Sequence, residues 1–297
     1  MQGSWENVAF ITGASSGMGK ETSFYLSSLG MDVALAARSS EEITKSAGII
    51  AERYGTKPIA LKVDVTDDGE VEAAFEEAVE RYGGVGLVVN YAGNPIGYAT
   101  RDRRKPIYEQ TLAHMKDIAE VDHFGSVRVL KYALPYMIRQ HGGMAVLISA
   151  ISSVYGYSED VDYIPYKRAN EGLATSTALR SDRDGWGVQL YTLAPGDVFN
   201  PSTWDSYNEE ERRGAVDYGI MESESVAKVV SWLYAGRLKR RYEMKVNLDT
   251  SEVIDEGRYV PLKNGDVVVV DAKTVPKLFA AAGESYEVFV PDGYRKK

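Results

Sequence analysis

Two clusters in this chain of 297 residues have residue types and spacings that can do chemistry. The first is Thr12-Gly13-Ala14-Ser15-Ser16-Gly17-Met18-Gly19. Gly13 permits a tight turn, Gly17 lets a backbone approach a pyrophosphate, and Gly19 allows a helix to pack closely on a strand. A helix opening at Gly17 offers free N–H groups and its positive dipole end to an anion. The second cluster is Tyr163 with Lys167, which share one face of any helix that holds both. A further choice is made at Ala37-Arg38-Ser39-Ser40, after an apolar run. Dinucleotide sites that take NAD place an acid there for the ribose hydroxyl. An Arg pairs instead with a 2′-phosphate, and serine hydroxyls add hydrogen bonds, so the expected cofactor is NADP(H). Glu41 and Glu42 are the alternative ribose ligands. There is no cysteine, and no two of the three histidines form an H-x-x-x-H pair, so metal chemistry is not expected.

The elements that must position these groups alternate in type. Short apolar runs at residues 7–12, 32–37, 59–63 and 86–90 read as strands. Between them, residues 17–29, 40–55 (with Ser40 as N-cap) and 68–82 read as helices. The rhythm continues with helices at 112–140, 163–181 and 223–238 and strands at 144–149, 188–193 and 265–271. Strands separated by helices are βαβ units, which require right-handed crossovers and a buried parallel sheet. The fold class is therefore α/β, a doubly wound Rossmann-type parallel sheet flanked by helices. No linker divides the chain, so residues 1–297 form one domain. Its core is about residues 5–238 plus strand 265–271, with additions at 239–264 and 272–297. In the first addition, residues 244–248 and 259–262 pair around an Asp255-Glu256-Gly257 turn. A subunit interface is the expected role of the additions, and covering the active site is the alternative.

Composition bounds the partners. Hydrophobic residues make up 44% and charged residues 26%, the mix of a globular protein, and the net charge is −9. An acidic surface argues against nucleic acid or an anionic membrane as partner. No apolar stretch is long enough for a membrane span, and the first residues lack the pattern of a signal peptide. A cytoplasmic location and a small-molecule substrate are expected.

Several landmarks fall in one order along the chain. T-G-x-x-x-G-x-G comes first, then Asp64-Val65, Asn90-Tyr91-Ala92-Gly93, Tyr163-x-x-x-Lys167 and Pro195-Gly196. In this the sequence resembles the short-chain dehydrogenase/reductase family over roughly residues 5–200. The resemblance implies a nicotinamide cofactor held by Thr12, Gly13, Ser15, Ser16, Gly17, Met18, Gly19, Arg38, Ser39, Asp64, Val65, Asn90, Ala92, Gly93, Tyr163, Lys167, Pro195, Gly196, Val198 and Asn200. Asp64 would contact the adenine, and Asn200 would stand where the family often has a Thr near the nicotinamide carboxamide. It also implies that Tyr163 donates a proton to a carbonyl while Lys167 tunes the phenol and binds the ribose. Pro165 is tolerable only if Tyr163 lies in the first helical turn.

Two members of the family's catalytic tetrad differ. Ala150, 13 residues before Tyr163, stands where the family has its carbonyl-orienting Ser. Ser149, Ser152 and Ser153 are nearby hydroxyls, and Ser152 is the expected substitute because it lies past the strand end. Asp122 stands where the family has an Asn that anchors a helix kink and a water linked to the Lys. Asp122 can hold that water, or pair with Lys167 and partly cancel its field. His123 is an alternative recruit. Segments 94–110, with its basic run Arg101, Asp102, Arg103, Arg104, Lys105, 151–157 and 201–220 are expected to line the substrate pocket. In the family, helices such as 112–140 and 163–181 pair subunits, so a homodimer or homotetramer is expected, with Val127, Leu130, Leu173 and Leu179 facing outward.

Overall fold

β1 (Val8–Thr12), β2 (Asp32–Ala37), β3 (Ile59–Lys62) and β4 (Leu87–Asn90) are short, mostly apolar runs, and every residue of β1 and β4 is buried. Burial on both faces is what a parallel sheet covered by crossover helices requires. The computed structural model describes residues 5–93, 105–156, 160–246, 253–291 and 294. β5 (Gly143–Ile148), β6 (Val188–Pro195) and β9 (Val267–Val270) complete a seven-stranded parallel sheet in the order β3-β2-β1-β4-β5-β6-β9. Chain order reverses between β1 and β4, and a crevice opens at the carboxyl ends of strands at such a reversal.

Successive strand residues feed opposite faces. Ile11, Val89 and Val146 join a core layer with Val226, Val230 and Trp232 of helix Ser223–Tyr234. Their neighbours Phe10, Val88 and Leu147 join the layer with Phe75, Val129, Met137 and Ala178 on the other side. Phe10 stacks on Phe75 with ring centroids 4.1 Å apart. The helices α1 (Gly17–Ser28), α2 (Ser40–Tyr54) and α3 (Asp68–Tyr82) follow the first three strands. Asp67 caps α3 by accepting the Glu70 N–H. No helix among the described residues is long and apolar enough to cross a membrane.

Several expectations need correction. Ser40 is the first helical residue of α2, and Ser39 is its N-cap, making no side-chain capping bond. The long helix at 112–140 is two helices, Leu112–Ala119 and Gly125–Arg139, joined by a π-helical turn at Glu120–Phe124. Helix Ser223–Tyr234 stops before residue 238, where the Arg237 and Leu238 N–H groups turn back to the Trp232 carbonyl. Leu130 faces inward at 3% exposure, whereas Leu179 is 64% exposed, because only Leu130 packs beneath α3 against the sheet. β7 (Arg240–Val246) and β8 (Val253–Pro261) pair antiparallel, but residues 259–261 pair with 240–242 rather than with 244–248, and Asp255, Glu256 and Gly257 lie within β8. Glu243 faces Arg258 and Lys245 faces Ile254, so the acid–Gly signal marks an irregularity that takes up extra residues rather than a turn. Four α-helices were not read from the sequence: Ile151–Tyr155, Pro201–Ser206, Glu209–Tyr218 and Val275–Ala282. Arg101, Asp102, Arg103, Arg104, Tyr157, Ser158 and Glu159 lie outside the described residues.

Candidate active site

The crevice beside β1 is a cavity of about 250 Å³. Its walls are the turn from Gly13 to Gly19, Ala36 to Ser39 at the end of β2, Val63 to Val65, Tyr91 to Gly93, Val121 and Asn200. The floor is kept low by missing side chains. A Cβ on Gly13 would lie 2.9 Å from the Ala92 nitrogen, and one on Gly19 would lie 2.4 Å from the Gly13 carbonyl oxygen. Gly13 and Gly17 have positive φ, 64° and 50°. A Cβ on Gly17 would meet the Asn200 amide at 3.0 Å, so Asn200 lies directly against the phosphate turn. The cradle fits a dinucleotide pyrophosphate: bare main chain, a helix N-terminus and small hydroxyls at Ser15 and Ser16.

Thr12 and Asn90 lie behind this wall rather than in it. Thr12 Oγ1 accepts from the Ala92 N–H at 3.1 Å and donates to Asn90 Oδ1 at 2.5 Å. Asn90 Nδ2 donates to Ser126 Oγ at 2.8 Å, and Ser126 Oγ donates to the Asp122 carbonyl at 3.3 Å. These bonds tie the phosphate turn to the π turn. Tyr91, where the family segment has its second Asn, accepts from Thr22 Oγ1 of α1 at 2.9 Å. Burial pushes its phenol well above the usual tyrosine range, despite that bond. Arg38 and Ser39 are exposed on the cavity rim. Glu41 and Glu42 sit in the first turn of α2 and are not among the lining residues. Burial opposes ionisation of Asp64, but Thr66 hydrogen bonds and the charges of Arg38 and Arg128 outweigh it and hold the carboxyl below its usual value.

Past Gly93 the cavity meets a side-chain corner. A Cβ on Gly93 would lie 3.1 Å from Asp122 Oδ1 and 3.7 Å from Lys167 Nζ. Those two atoms are themselves 2.6 Å apart, with side chains 1% and 6% exposed. Lys167 Nζ lies 5.2 Å from the centre of the Tyr163 ring. Tyr163 is the N-cap of helix Ile164–Asp184, with Pro165 in its first turn, which is where a proline is tolerated. The π turn explains how Asp122 reaches Lys167. Asn170 Nδ2 donates to the Asp122 carbonyl at 2.7 Å and Asn170 Oδ1 meets His123 Nδ1 at 3.0 Å, so the helix carrying Lys167 supports the bulge itself. His123 is thereby held by Asn170.

The three candidate hydroxyls separate. Ser149 and Ser153 both donate to Glu171 Oε1, at 2.6 and 2.5 Å, and Arg168 Nη1 donates to Glu171 Oε2 at 2.7 Å. Glu171 is 5% exposed, so two hydroxyls and a guanidinium support a buried carboxylate. Ser152 takes no part in that network; it sits half-buried in the short helix Ile151–Tyr155, after Ala150. Pro195 ends β6 beside Val270, and Gly196 packs on Asp271, where a Cβ would lie 2.7 Å from the Asp271 Cβ. Val198 bridges to Met221. Sequence reasoning missed Val121, Tyr91, Asn170 and Glu171. The first two adjoin motif residues, and the last two follow Lys167 on the same helix; their partners are distant in the chain.

The chain matches the short chain dehydrogenase family over residues 7–211. It is 29% identical over 207 residues to dehydrogenase/reductase SDR family member 7 of Mus musculus, covering 68% of this chain and 59% of that protein. It is 26% identical over 240 residues to levodione reductase of Leifsonia aquatica, covering 77% of this chain and 87% of that one. A crystal structure of levodione reductase superposes with a TM-score of 0.73 at 23% identity, covering 91% of this chain and 98% of the other.

Proposed function

This chain belongs to the short chain dehydrogenase family, and from that premise we propose that it is an NADP(H)-dependent oxidoreductase that reduces a carbonyl, or oxidises the matching alcohol, on a small molecule. The observation that carries the reading is the junction at Gly93. There the cavity shaped for a dinucleotide abuts the Lys167–Asp122 pair and, through Lys167, Tyr163. The choice of NADP(H) is supported by Arg38 and Ser39 on the rim and by the absence of Glu41 and Glu42 from the lining. When bound, the cofactor supplies the hydride. Tyr163 donates the proton to the substrate oxygen, and the Lys167 ammonium stabilises the phenolate left behind. Asp122, 2.6 Å from the Lys167 ammonium, offsets part of that positive field. Ser152 supplies the hydroxyl that Ala150 lacks. Arg38→Asp should erase a preference of at least about tenfold for NADPH over NADH, roughly 1.4 kcal/mol. Equal affinity of the unaltered protein for both cofactors would refute the Arg38 assignment.

A second reading rests on Ala150 and on the charge cancellation at Asp122: an NADP(H)-binding protein with isomerase, cyclase, lyase or regulatory work. Following NADPH oxidation over a panel of ketones and aldehydes separates the two, because tight NADPH binding without turnover supports only the second. Within the same proposal the protein is cytoplasmic and forms a homodimer or homotetramer through helices Gly125–Arg139 and Ile164–Asp184, near exposed Phe124 and Leu179. A strictly monomeric mass at micromolar concentration would count against the assembly.

A further inference from the structure

Asn200 is tied through its main chain to two aromatic residues of its own segment. On one side, Phe199 is pinned by its main chain: its N–H donates to the Met221 carbonyl at 2.7 Å, and its carbonyl accepts from Ser223 Oγ at 3.2 Å. On the other, the Trp204 N–H donates to the Asn200 carbonyl at 2.8 Å and closes the first turn of helix Pro201–Ser206. A helix of six residues has little stability of its own and persists only if its side chains are packed.

That packing comes from residues late in the sequence. Phe289 meets Phe199 with ring centroids 5.3 Å apart, and Tyr294 meets Trp204 edge-on at 5.4 Å. Phe199 and Trp204 also touch each other, at 5.6 Å. The Arg212 guanidinium lies 5.7 Å from the centre of the Trp204 ring and donates to the Trp204 carbonyl. Tyr294 Oη donates to Glu209 Oε2 at 2.6 Å, which reaches the next helix. The tail is anchored before it arrives there: Tyr286 packs edge-on against the buried Phe279 at 5.1 Å, and Pro291 is buried. The Phe199 and Trp204 rings therefore each rest on a different ring of the tail, and the Asn200 side chain lies against Gly17.

We infer that the segment 286–291, together with Tyr294, is a strap whose Phe289 and Tyr294 are positioning residues for Asn200, so that this late part of the chain helps hold the cofactor in its cleft. A side chain fixed before binding loses less entropy on binding, so releasing the strap weakens the contact without removing it. The inference rests on reading the cleft as an NADP(H) site.

The test compares the full chain with one ending at Glu287, which keeps the Tyr286 anchor. Fluorescence titration and stopped-flow release should show NADPH bound about tenfold more weakly through faster dissociation. The preference for NADPH over NADH should stay unchanged, because Arg38 is untouched. In an Asn200→Ala background the same truncation should add nothing, as expected for residues acting through one contact. Amide hydrogen exchange at Trp204 should speed up with no cofactor present, while the amides of β1 stay protected. Phe289→Ala in the full chain should reproduce most of the loss, and serves if the shortened chain folds poorly. Unchanged NADPH affinity, unchanged exchange at Trp204, or losses that add independently of Asn200 would each overturn the strap. A full chain that bound neither cofactor would overturn the reading of the cleft, and this inference with it.

Discussion

The glycine turn at Gly13–Gly19 and the Tyr163–Lys167 corner lie on either side of Gly93 and are built from different materials. The turn is main chain. What matters at Gly13, Gly17 and Gly19 is that no Cβ is present, and the close distances there run to backbone atoms or to the tip of Asn200. The corner is side chains, brought from the π turn, the end of β5 and the start of helix Ile164–Asp184. Asp122 and Ala150 stand where the family resemblance leads us to expect Asn and Ser, and Lys167 stands beside the Tyr163 ring. A site made of absent atoms tolerates no addition. A site made of charges can keep its shape while its chemistry changes.

The largest expected effect sharpens this contrast. Tyr163→Phe removes one oxygen from the corner and should lower turnover by roughly 10²–10⁴-fold, while NADPH affinity measured by fluorescence stays nearly the same. Full activity of the variant on the true substrate would shift the assignment to the non-redox reading. Gly13→Ala is the matching change in the turn. The added carbon would stand 2.9 Å from backbone atoms of Tyr91 and Ala92 at a φ of 64°. It should cost about 1–3 kcal/mol of stability and weaken NADPH binding at least about tenfold, read from a thermal melt and a titration.

Ala150→Ser tests whether the corner can be returned to the family pattern. If the protein is a reductase, turnover of a simple ketone should rise by up to roughly 10–100-fold, the effect of one well-placed hydrogen bond. No change would mean that Ser152 or another hydroxyl already does this work. The smallest effect is expected of Asp122→Asn. Lys167 would keep its charge without the carboxylate at 2.6 Å. An uncompensated cation beside the phenol favours the phenolate, so the alkaline limb of the reductive rate profile should move to lower pH. A shift to higher pH would contradict the charge-cancellation argument.

The main-chain elements were largely legible in the order of residues. β2 and α3 lie where the apolar runs and their spacing place them, because these signals act over a few residues. Gly13, Gly17 and Gly19 announced the cradle for the same reason: steric freedom belongs to the residue itself. Arg38 at the end of β2 and the Tyr163–Lys167 spacing were local facts too. The Asp255-Glu256-Gly257 signal misled because a bulge and a turn ask for the same residues, and only pairing across β7 and β8 separates them.

What the sequence by itself determined was the alternation of strand and helix, the bare phosphate turn and the shared face of Tyr163 and Lys167. Tertiary structure alone decided which partner each side chain would take. Asp122 met Lys167 because Asn170, 48 residues away, supports the π turn. Ser149 and Ser153 were drawn to Glu171, leaving Ser152 outside that network. Phe289 and Tyr294 found the rings beside Asn200. Propensity and sterics act between near neighbours, whereas a buried carboxylate or ring is placed by whatever packing brings within a few ångströms of it.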